Sequence, residues 1–349
     1  MLVSDFDFDL PDSQIAQTPA PRGASRLLVV NRAEGRWHET SVSGLPAELR
    51  SGDLLIANDT RVYPARLIGR RDPSGGTVEC FLLEREGEAW QALVHPGQKL
   101  KPGARMVFED AARAPGLRIR GEILERRYFG RRLVKFEVEG APSVDEAVDA
   151  LGHVPLPPYI KRPDEAADAE RYQTVFARAR GSVAAPTAGL HFDTALVNAC
   201  EARGIDVRTI TLHVGYGTFK PVRVARVESH DVDPEPYDIS VETAGAVSAA
   251  RAAGGRVIAV GTTTTRALES SAAATGVVSA GEGLANLFIF PGFEFRAIDG
   301  LLTNFHLPRS SLLMLVAAFA GRDLTLAAYR HAVAAGFRFY SYGDAMLIL

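Results

Sequence analysis

Five short segments between residues 77 and 138 mix apolar with polar residues: Thr77-Val-Glu-Cys-Phe-Leu-Leu-Glu84, Trp90-Gln-Ala-Leu-Val-His95, Arg105-Met-Val-Phe108, Leu117-Arg-Ile-Arg-Gly-Glu-Ile-Leu124 and Arg132-Leu-Val-Lys-Phe-Glu-Val138. Turn residues such as Lys101-Pro-Gly103 separate them, and no helical pattern interrupts the series. Short strands with a turn about every 8–12 residues are typical of a small antiparallel barrel or sandwich. We therefore predict an inserted, small antiparallel β-barrel domain over residues 67–142.

The sequence on either side of the predicted barrel shows a different pattern of apolar and polar residues. Before it, Ser25-Arg-Leu-Leu-Val-Val-Asn31 and Asp53-Leu-Leu-Ile-Ala-Asn58 are apolar runs with polar ends, which indicate buried strands. After it, helical and strand patterns alternate, with Asp193 as the N-cap of one helix and a further helix predicted over Arg266 to Ala274. A hairpin is expected over Phe293 to Phe305, around Asp299-Gly300. The prediction is a mixed-sheet α/β main domain, discontinuous over residues 1–66 and 143–349.

Composition excludes several classes of protein. The 349 residues are 46% apolar and 23% charged with a net charge of −3, so a fully disordered chain and a uniformly basic coat are both excluded. Cys80 and Cys200 are far apart, which argues against a disulfide framework or a thiolate zinc site. The longest apolar run, residues 312–320, is shorter than the roughly 20 residues that span a bilayer. We expect a cytoplasmic protein without a membrane segment.

Four polar segments follow predicted strands, where α/β folds place their ligands. They are Asn58-Asp-Thr-Arg-Val-Tyr-Pro-Ala-Arg-Leu67, Ala184-Ala-Pro-Thr-Ala-Gly-Leu-His-Phe-Asp193, Leu212-His-Val-Gly-Tyr-Gly-Thr-Phe-Lys-Pro221 and Val260-Gly-Thr-Thr-Thr-Thr-Arg-Ala-Leu-Glu-Ser270. Each offers hydrogen-bonding groups, aromatic stacking faces such as Phe219, or free backbone N–H groups. Each also has an ordinary structural reading, as a turn, a satisfied core histidine or a threonine cap. None completes a dinucleotide fingerprint or a phosphate-binding P-loop.

The predicted barrel also carries a basic run, from Arg118 to Lys135, with seven cations and only two carboxylates. Tyr128 and Phe129 lie within it. Cations interleaved with aromatic rings suit a phosphate backbone and an unstacked base. The alternative is a hairpin whose outer face is simply charged. No metal-ligand spacing is present, since the eight histidines are scattered, and we expect no metal site.

Taken together, these segments match a known family. Asn58 to Leu67, Gly181 to Phe192, Leu212 to Val222, Gly261 to Ser270, Leu301-Leu-Thr-Asn-Phe-His-Leu-Pro308 and Ser341-Tyr-Gly-Asp-Ala-Met-Leu347 occur in the family's order over nearly the whole chain. The chain resembles the S-adenosylmethionine:tRNA ribosyltransferase-isomerase family of queuosine biosynthesis. The resemblance also implies an α/β domain with an inserted barrel.

The resemblance implies a reaction. The ribosyl part of S-adenosylmethionine is transferred to the aminomethyl group of 7-aminomethyl-7-deazaguanine in the anticodon of a tRNA and isomerised. The products are epoxyqueuosine-tRNA, adenine and methionine. S-adenosylmethionine is a co-substrate and tRNA the partner, with no other cofactor or metal implied. We expect a monomer.

The chemistry of this reaction suggests roles for the matching residues. A base must reach the carbon next to the sulfonium, and a neutral imidazole suits that task, so His191 or His213 is predicted as catalytic, with Asp59 and Glu235 as alternative bases. Arg61 or Arg266 is predicted to hold the methionine carboxylate. The predicted substrate pocket further contains Asn58, Thr187, Gly189, Gly215, Tyr216, Thr218 and Thr262. Arg126, Arg127, Arg131 and Arg132 are predicted to contact tRNA phosphates.

One position departs from the family pattern. Where the family usually has His-x-x-His-x-Glu, this chain has His230-Asp-Val-Asp-Pro-Glu235, so Asp233 replaces the second histidine. Two rival hypotheses remain at this point. A methyltransferase would release S-adenosylhomocysteine instead of adenine, and a non-catalytic RNA-binding protein would consume no S-adenosylmethionine. A nicotinamide oxidoreductase is a more distant rival because the dinucleotide fingerprint is absent.

Overall fold

The computed structural model describes the backbone of residues 1–349 and every side chain except those of Phe129 and Phe219. The strands in chain order are β1 Arg26–Asn31, β2 Arg36–Ser41, β3 Leu54–Asn58, β4 Thr60–Val62, β5 Arg66–Asp72, β6 Thr77–Glu86, β7 Ala89–His95, β8 Arg105–Phe108, β9 Arg118–Arg126, β10 Arg131–Glu139, β11 Ala179–Ser182, β12 Asp206–Leu212, β13 Glu235–Ile239, β14 Val257–Val260, β15 Gly281–Ala285, β16 Gly300–Asn304 and β17 Ala345–Ile348. The helices are α1 Leu45–Glu48, α2 Val144–Leu151, α3 Asp168–Arg171, α4 Thr194–Glu201, α5 Val241–Ala252, α6 Thr262–Ala272, α7 Ser311–Ala320 and α8 Arg322–Ala334.

The chain divides into two compact units. The main unit contains Met1–Arg61, Pro158–Arg162 and Gln173–Leu349. The barrel unit contains Val62–Pro157 and Pro163–Tyr172. The predicted fold class, a mixed-sheet α/β domain with an inserted antiparallel barrel, is confirmed.

The main unit is built on a nine-stranded sheet in the order β15-β13-β12-β3-β14-β16-β17-β1-β2. Its centre is parallel, because β12 and β14 both run parallel to β3, and β16 runs parallel to β14. Strands β3 and β14 are buried throughout, as expected for strands covered on both faces. Two apolar clusters cover the two faces, one around Phe305 and Tyr329 and the other around Phe192 and Leu196.

Helix ends in this unit follow the capping chemistry visible in the sequence. Asp193 accepts a hydrogen bond from the Leu196 backbone N–H at 2.7 Å at the start of α4, as predicted. Ser310 does the same for Leu313 at the start of α7. The apolar run 312–320 is thereby explained as α7, most of which is buried in the core. Across the described residues, no single helix has the length and apolarity to cross a membrane, and only the pair α7 and α8, bent by 116°, meets the test on length and composition.

The barrel unit closes six antiparallel strands in the order β10-β7-β6-β5-β8-β9. Inward residues alternate with outward ones, and Val78, Cys80, Ile119 and Ile123 are fully buried. The backbones of Arg66 and His153 exchange two hydrogen bonds of 3.4 and 2.8 Å, so the two ends of Val62–Pro157 lie side by side.

Two local predictions in the main unit are wrong. Residues 293–299 form no strand, and β16 pairs with β14 and β17 in place of a hairpin partner. The reason is the buried carboxylate of Glu269, which accepts the backbone N–H groups of Arg296, Ala297 and Ile298 at 2.9, 2.9 and 3.2 Å. Helix α6 begins at Thr262, four residues earlier than the Arg266 start that the sequence suggests.

Candidate active site

One edge of the main sheet collects the polar segments. The parallel strands β12, β3, β14 and β16 end there at Leu212, Asn58, Val260 and Asn304. Strand β13 runs antiparallel to β12, so it begins at the same edge, with Glu235. In open α/β sheets the crevice outside the carboxyl ends of the strands is where ligands bind. Three of the four segments singled out in the sequence therefore begin at this edge, and the fourth reaches it at Ala188, whose Cβ lies 3.6 Å from the position that a Cβ on Gly261 would take.

Asn58 joins two of these strands. Its Nδ2 donates to the Leu212 carbonyl at 2.9 Å, and its Oδ1 accepts from the backbone N–H groups of Leu212 and Thr60 at 3.1 and 3.0 Å. The side chain is buried. Its hydrogen-bonding groups are therefore used within the protein, and the geometry gives Asn58 a structural role in place of the predicted contact with substrate.

Asp59 is a buried carboxylate with its own partners. It accepts hydrogen bonds from Arg178 Nη2 at 2.8 Å and from Thr211 Oγ1 at 2.6 Å. A groove of about 270 Å³, lined in part by Arg178, Thr209 and Asp238, opens beside it. Because Arg178, Thr209 and Thr211 already occupy the carboxylate oxygens, the geometry does not favour the prediction of Asp59 as an alternative base.

His213 has the environment of a general base. Its Nδ1 lies 2.8 Å from Thr60 Oγ1, which lies 2.7 Å from Ser182 Oγ. Its ring packs on Gly181, where a Cβ atom would come within 2.5 Å of the ring, so only glycine allows this approach. Burial lowers the pKa of His213, and the nearby Asp59 opposes the shift. The imidazole is thus held in one orientation and is neutral at pH 7.

The groove beside His213 is the larger one, about 450 Å³. Thr211, Tyr237 and Leu284 are among its lining residues. Nε2 of His213 has no hydrogen-bond partner among the described residues, so the second ring nitrogen is available to a ligand. This combination of an oriented ring, a free nitrogen and an open groove occurs at His213.

His191 is placed differently. It is 4% exposed, and burial lowers its pKa to about 4, with Arg338 adding to the shift. Its Nε2 is one of several buried side-chain atoms without a hydrogen-bond partner in the described structure, and Thr174 Oγ1 and Asn304 Oδ1 are two of the others. Thr174 lies against Gly189 of the same 3₁₀ turn as His191, which runs over Thr187–His191. Unpartnered buried polar atoms are uncommon in folded proteins and mark places where a ligand or water completes the bonding.

Glu235 and Arg266, predicted for separate tasks, form a buried ion pair. Arg266 Nη1 donates to Glu235 Oε2 at 2.5 Å, and the rest of the guanidinium donates to the carbonyls of Asp233, Ala285 and Leu287. Burial raises the pKa of Glu235, and Arg266 opposes that shift. Because the guanidinium is fully engaged, the predictions that Arg266 holds the methionine carboxylate and that Glu235 is a free base do not fit the geometry.

The same carboxylate fixes the glycine-containing loop. Glu235 Oε1 accepts from the Gly215 N–H at 2.8 Å and from Thr218 Oγ1 at 3.2 Å. Asp233, at the position where the family pattern has histidine, pairs with Lys220 Nζ at 2.6 Å. The loop from Gly215 to Lys220, which includes Tyr216, is thus held by two carboxylates, while the predicted stacking face of Phe219 lies outside the described side chains.

The start of α6 presents free donors at this edge. Gly261 has φ +98°, a left-handed conformation that turns the chain from β14 directly into the helix. Thr264 and Thr265 donate back to the carbonyls of Val260 and Gly261, whereas the hydroxyls of Thr262 and Thr263 have no partner among the described residues. A helix N-terminus with free N–H groups and hydroxyls suits a carboxylate. Arg61 is exposed and has no described ion-pair partner, so it stays available as a cation.

The four arginines predicted to contact tRNA differ from one another. Arg127 donates twice to Glu86, and it also donates to Glu125. Arg132 is 2% exposed and donates to the carbonyls of Gly97, Leu100, Gly130 and Arg131. Arg132 therefore supports the barrel from inside, and the prediction of a phosphate contact is wrong at this position. Arg126 is exposed, and Arg131 is half-buried with its guanidinium 3.4 Å from Gln91.

Sequence reasoning overlooked the residues that orient His213. Thr60 and Ser182 both lie inside the segments that carry the family resemblance, but their roles depend on a contact over 122 residues of sequence. It also overlooked Tyr340, which has φ +74° and packs on Tyr159 with ring centroids 3.8 Å apart. A non-glycine residue in this conformation is strained and often marks a functional loop. Within the described residues, no group of three or more His, Cys, Asp or Glu side chains is placed to hold a metal ion.

Comparisons with known proteins give the family. The family model described as "Queuosine biosynthesis protein" matches residues 3–348. Relatives named S-adenosylmethionine:tRNA ribosyltransferase-isomerase include those of Solibacter usitatus, 51% identical, and Symbiobacterium thermophilum, 50% identical, each alignment covering 100% of both chains. The crystal structure of the S-adenosylmethionine tRNA ribosyltransferase of Thermotoga maritima is 36% identical and superimposes with a TM-score of 0.55, covering 99% of this chain and 100% of that one. The chain therefore belongs to the queuosine biosynthesis family of S-adenosylmethionine:tRNA ribosyltransferase-isomerases.

Proposed function

We propose that the reaction of this family takes place at the sheet edge formed by β12, β3, β14 and β16. The enzyme transfers and isomerises the ribosyl moiety of S-adenosylmethionine onto 7-aminomethyl-7-deazaguanine in tRNA, giving epoxyqueuosine-tRNA, adenine and methionine. The observation that carries the location is the meeting of Thr60, Ser182 and His213 beside an open groove of about 450 Å³.

His213 is the proton acceptor. The sulfonium of S-adenosylmethionine acidifies the adjacent C5′ hydrogens, and the attacking amine must also lose a proton. His213 is neutral near pH 7, is oriented through Nδ1 by Thr60, and has Nε2 free. His191, with a pKa of about 4, is a weak base and is not protonated at neutral pH. Its unpartnered Nε2, with Asn304 Oδ1, instead supports hydrogen bonding to the co-substrate.

The N-terminus of α6 binds the methionine carboxylate. Thr262 and Thr263 supply free hydroxyls, and the first backbone N–H groups of an eleven-residue helix supply a partial positive charge. Arg61 is the remaining candidate cation, since Arg266 is committed to Glu235. Glu235 and Asp233 position the loop that carries Gly215, Tyr216 and Thr218 without acting on substrate atoms.

The partners of the reaction are S-adenosylmethionine and tRNA, and the enzyme acts as a monomer located in the cytoplasm. Light scattering of the purified protein tests whether it is a monomer. We expect a mass near 37.6 kDa. A stable dimer mass would contradict a monomeric enzyme.

The test of function is product analysis with matched histidine variants. Purified protein is incubated with S-adenosylmethionine and an anticodon stem-loop carrying the aminomethyl deazaguanine, and adenine, methionine and RNA mass are measured. We expect adenine and methionine together with a ribosyl-derived gain on the RNA. His213→Ala should lower adenine release by about 10²- to 10⁴-fold, whereas His38→Ala, a surface histidine paired with Glu48, should not. S-adenosylhomocysteine as the product would establish methyl transfer and overturn the proposal.

A further inference from the structure

The basic run of the barrel is less positive in the fold than in the sequence. Arg118 and Arg120 are paired with Glu109 and Glu139. As described above, Arg127 is also ion-paired and Arg132 is buried. Most of the positive charge that the sequence concentrates between residues 118 and 135 is therefore neutralised or withdrawn from solvent.

Three unpaired cations, contributed by two elements, lie at one end of the barrel, whereas Lys135 lies in the middle of β10. Arg126, at the end of β9, is exposed and has no described ion-pair partner. Lys99 and Lys101, on the turn after β7, are exposed and likewise have no described partner. The two lysines are not part of the basic run in the sequence, because they lie about 25 residues before Arg126.

Arg132 holds these two elements together. It lies directly across the β9–β10 ladder from Arg126. Its guanidinium reaches to the other side and donates to Gly97 and Leu100 at 2.8 and 3.1 Å, on either side of Lys99. A buried arginine thus fixes the lysine turn beside the hairpin tip, so the three cations share one end of the barrel.

An exposed aromatic ring stands at the same tip. Tyr128 is 87% exposed and makes no ring contact with any described side chain. A tyrosine left in solvent beside unpaired cations matches the pattern by which proteins hold unpaired nucleotides, with cations on phosphates and an aromatic ring under a base. In a protein of net charge −3, a local gathering of unpaired lysines and an arginine attracts a polyanion.

We propose that Lys99, Lys101, Arg126 and Tyr128 form a docking surface for an unpaired nucleotide of the substrate tRNA and its neighbouring phosphates. The inference rests on the proposed function for the identity of the RNA, but it adds a contact outside the reacting site. Arg132 is a positioning residue of this surface, and Arg127 contributes little because Glu86 already neutralises it.

The test is RNA binding without S-adenosylmethionine, measured by fluorescence anisotropy of a fluorescein-labelled tRNA transcript at several salt concentrations. The variant Lys99→Gln/Lys101→Gln/Arg126→Gln should bind about tenfold or more weakly, and its log–log salt slope should fall by about 2, since each single-strand phosphate contact contributes about 0.7. Tyr128→Ala should weaken binding roughly tenfold with an unchanged salt slope, and Tyr128→Phe should bind like wild type because the ring remains.

The matched control is Arg120→Gln/Glu139→Gln, which removes one cation and one anion from the same barrel and should leave affinity and slope unchanged. Thermal melting of each variant checks that the barrel is folded. Unchanged affinity in the triple variant would overturn the docking surface, and an unaffected Tyr128→Ala would overturn the stacking contact. Adenine release by the wild-type protein is measured in parallel. If the proposed function were wrong, the wild-type protein would release no adenine with any RNA, whereas failure of the docking surface alone would leave adenine release intact.

Discussion

At the scale of single residues, the two candidate histidines differ in what burial leaves them able to do. His213 has one nitrogen oriented by Thr60 and one free, beside an open groove. His191 is almost fully enclosed, and its pKa of about 4 keeps it neutral over the working range. The sequence identified both residues as equal candidates because burial and hydrogen bonding are properties of the folded chain.

The pH dependence of turnover tests the choice of His213. A base acts in its neutral form, so kcat/KM should fall as the solution becomes acidic enough to protonate it. Burial lowers the pKa of His213 below the usual 6.5, which should place this acid limb below pH 6.5. Adenine release measured from pH 4.5 to 8 gives the limb. A limb at or above pH 6.5 would contradict this assignment.

His306 gives a stability prediction with a definite sign. It is 5% exposed, hydrogen-bonded to Thr303, and burial lowers its pKa to about 3. Since the unfolded chain takes up a proton near pH 6.5 and the folded chain does not, stability is lost as pH falls from 6.5 towards 3. Between pH 7 and 4.5 this residue should lower the free energy of unfolding by about 2 to 3 kcal/mol.

Urea denaturation at both pH values measures this loss. The comparison is wild type against His306→Gln, whose amide keeps the hydrogen-bonding ability without titrating. The loss of unfolding free energy between pH 7 and 4.5 should be smaller in the variant by about 2 to 3 kcal/mol, the contribution of His306. An equal loss in both proteins would contradict the prediction, because it would show that His306 does not contribute to the pH dependence of stability.

At the scale of elements, the site depends on polar side chains that join strands and loops. Asn58 connects β3 to β12, and the Glu235–Arg266 pair connects the Gly215–Lys220 loop to α6. The sequence marked all three residues, but it assigned Asn58 and Arg266 to substrate binding and Glu235 to catalysis as an alternative base. Their partners lie 154 and 31 residues away, so the pairings that consume their hydrogen bonds are not readable from local sequence.

Asn58→Ala distinguishes a structural role from a contact with substrate. The substitution leaves the buried N–H and C=O of Leu212 without a side-chain partner, so the free energy of unfolding should fall by about 3 kcal/mol. Turnover per folded molecule should change little at a temperature where the variant is fully folded. A large rise in KM for S-adenosylmethionine with normal stability would instead return Asn58 to the substrate pocket.

The Glu235–Arg266 pair yields a double-variant prediction. Arg266→Met leaves a buried carboxylate unpaired and should destabilise the protein by about 3 to 5 kcal/mol. Adding Glu235→Gln removes that charge and should recover part of the loss, while the amide can still accept from Gly215. If Glu235 were the catalytic base, Glu235→Gln alone would abolish turnover at full stability. We expect instead that Glu235→Gln alone lowers turnover and the free energy of unfolding modestly.

Local sequence predicted elements well where the signal was local. The barrel strands and the Asp193 cap depend on neighbouring residues and are confirmed. The hairpin around Asp299-Gly300 failed because Glu269, about 30 residues earlier, takes up the N–H groups of the expected first strand. A strong turn signal was thus overridden by a tertiary contact.

At the scale of the whole molecule, the barrel has the features of a domain that folds by itself. It closes its six strands on one another, so it has no open sheet edge, and it has its own apolar interior around Phe108 and Phe136. Its chain ends at Arg66 and His153 are paired through their backbones. Inserted domains with adjacent ends are tolerated because the host chain need not change its path.

A fragment of residues 62–172, which includes both parts of the barrel unit, tests this independence. Expressed alone, it should show a β-type circular dichroism spectrum and one cooperative thermal transition, since its core residues are supplied by its own strands. It should also bind labelled tRNA more weakly than the full chain but lose that binding on Lys99→Gln/Lys101→Gln/Arg126→Gln. An unfolded fragment would contradict the insertion of a self-sufficient domain at residues 67–142. A folded fragment that binds tRNA equally well with and without the triple variant would leave the domain in place but contradict the docking surface, because the barrel would then hold the RNA through other residues.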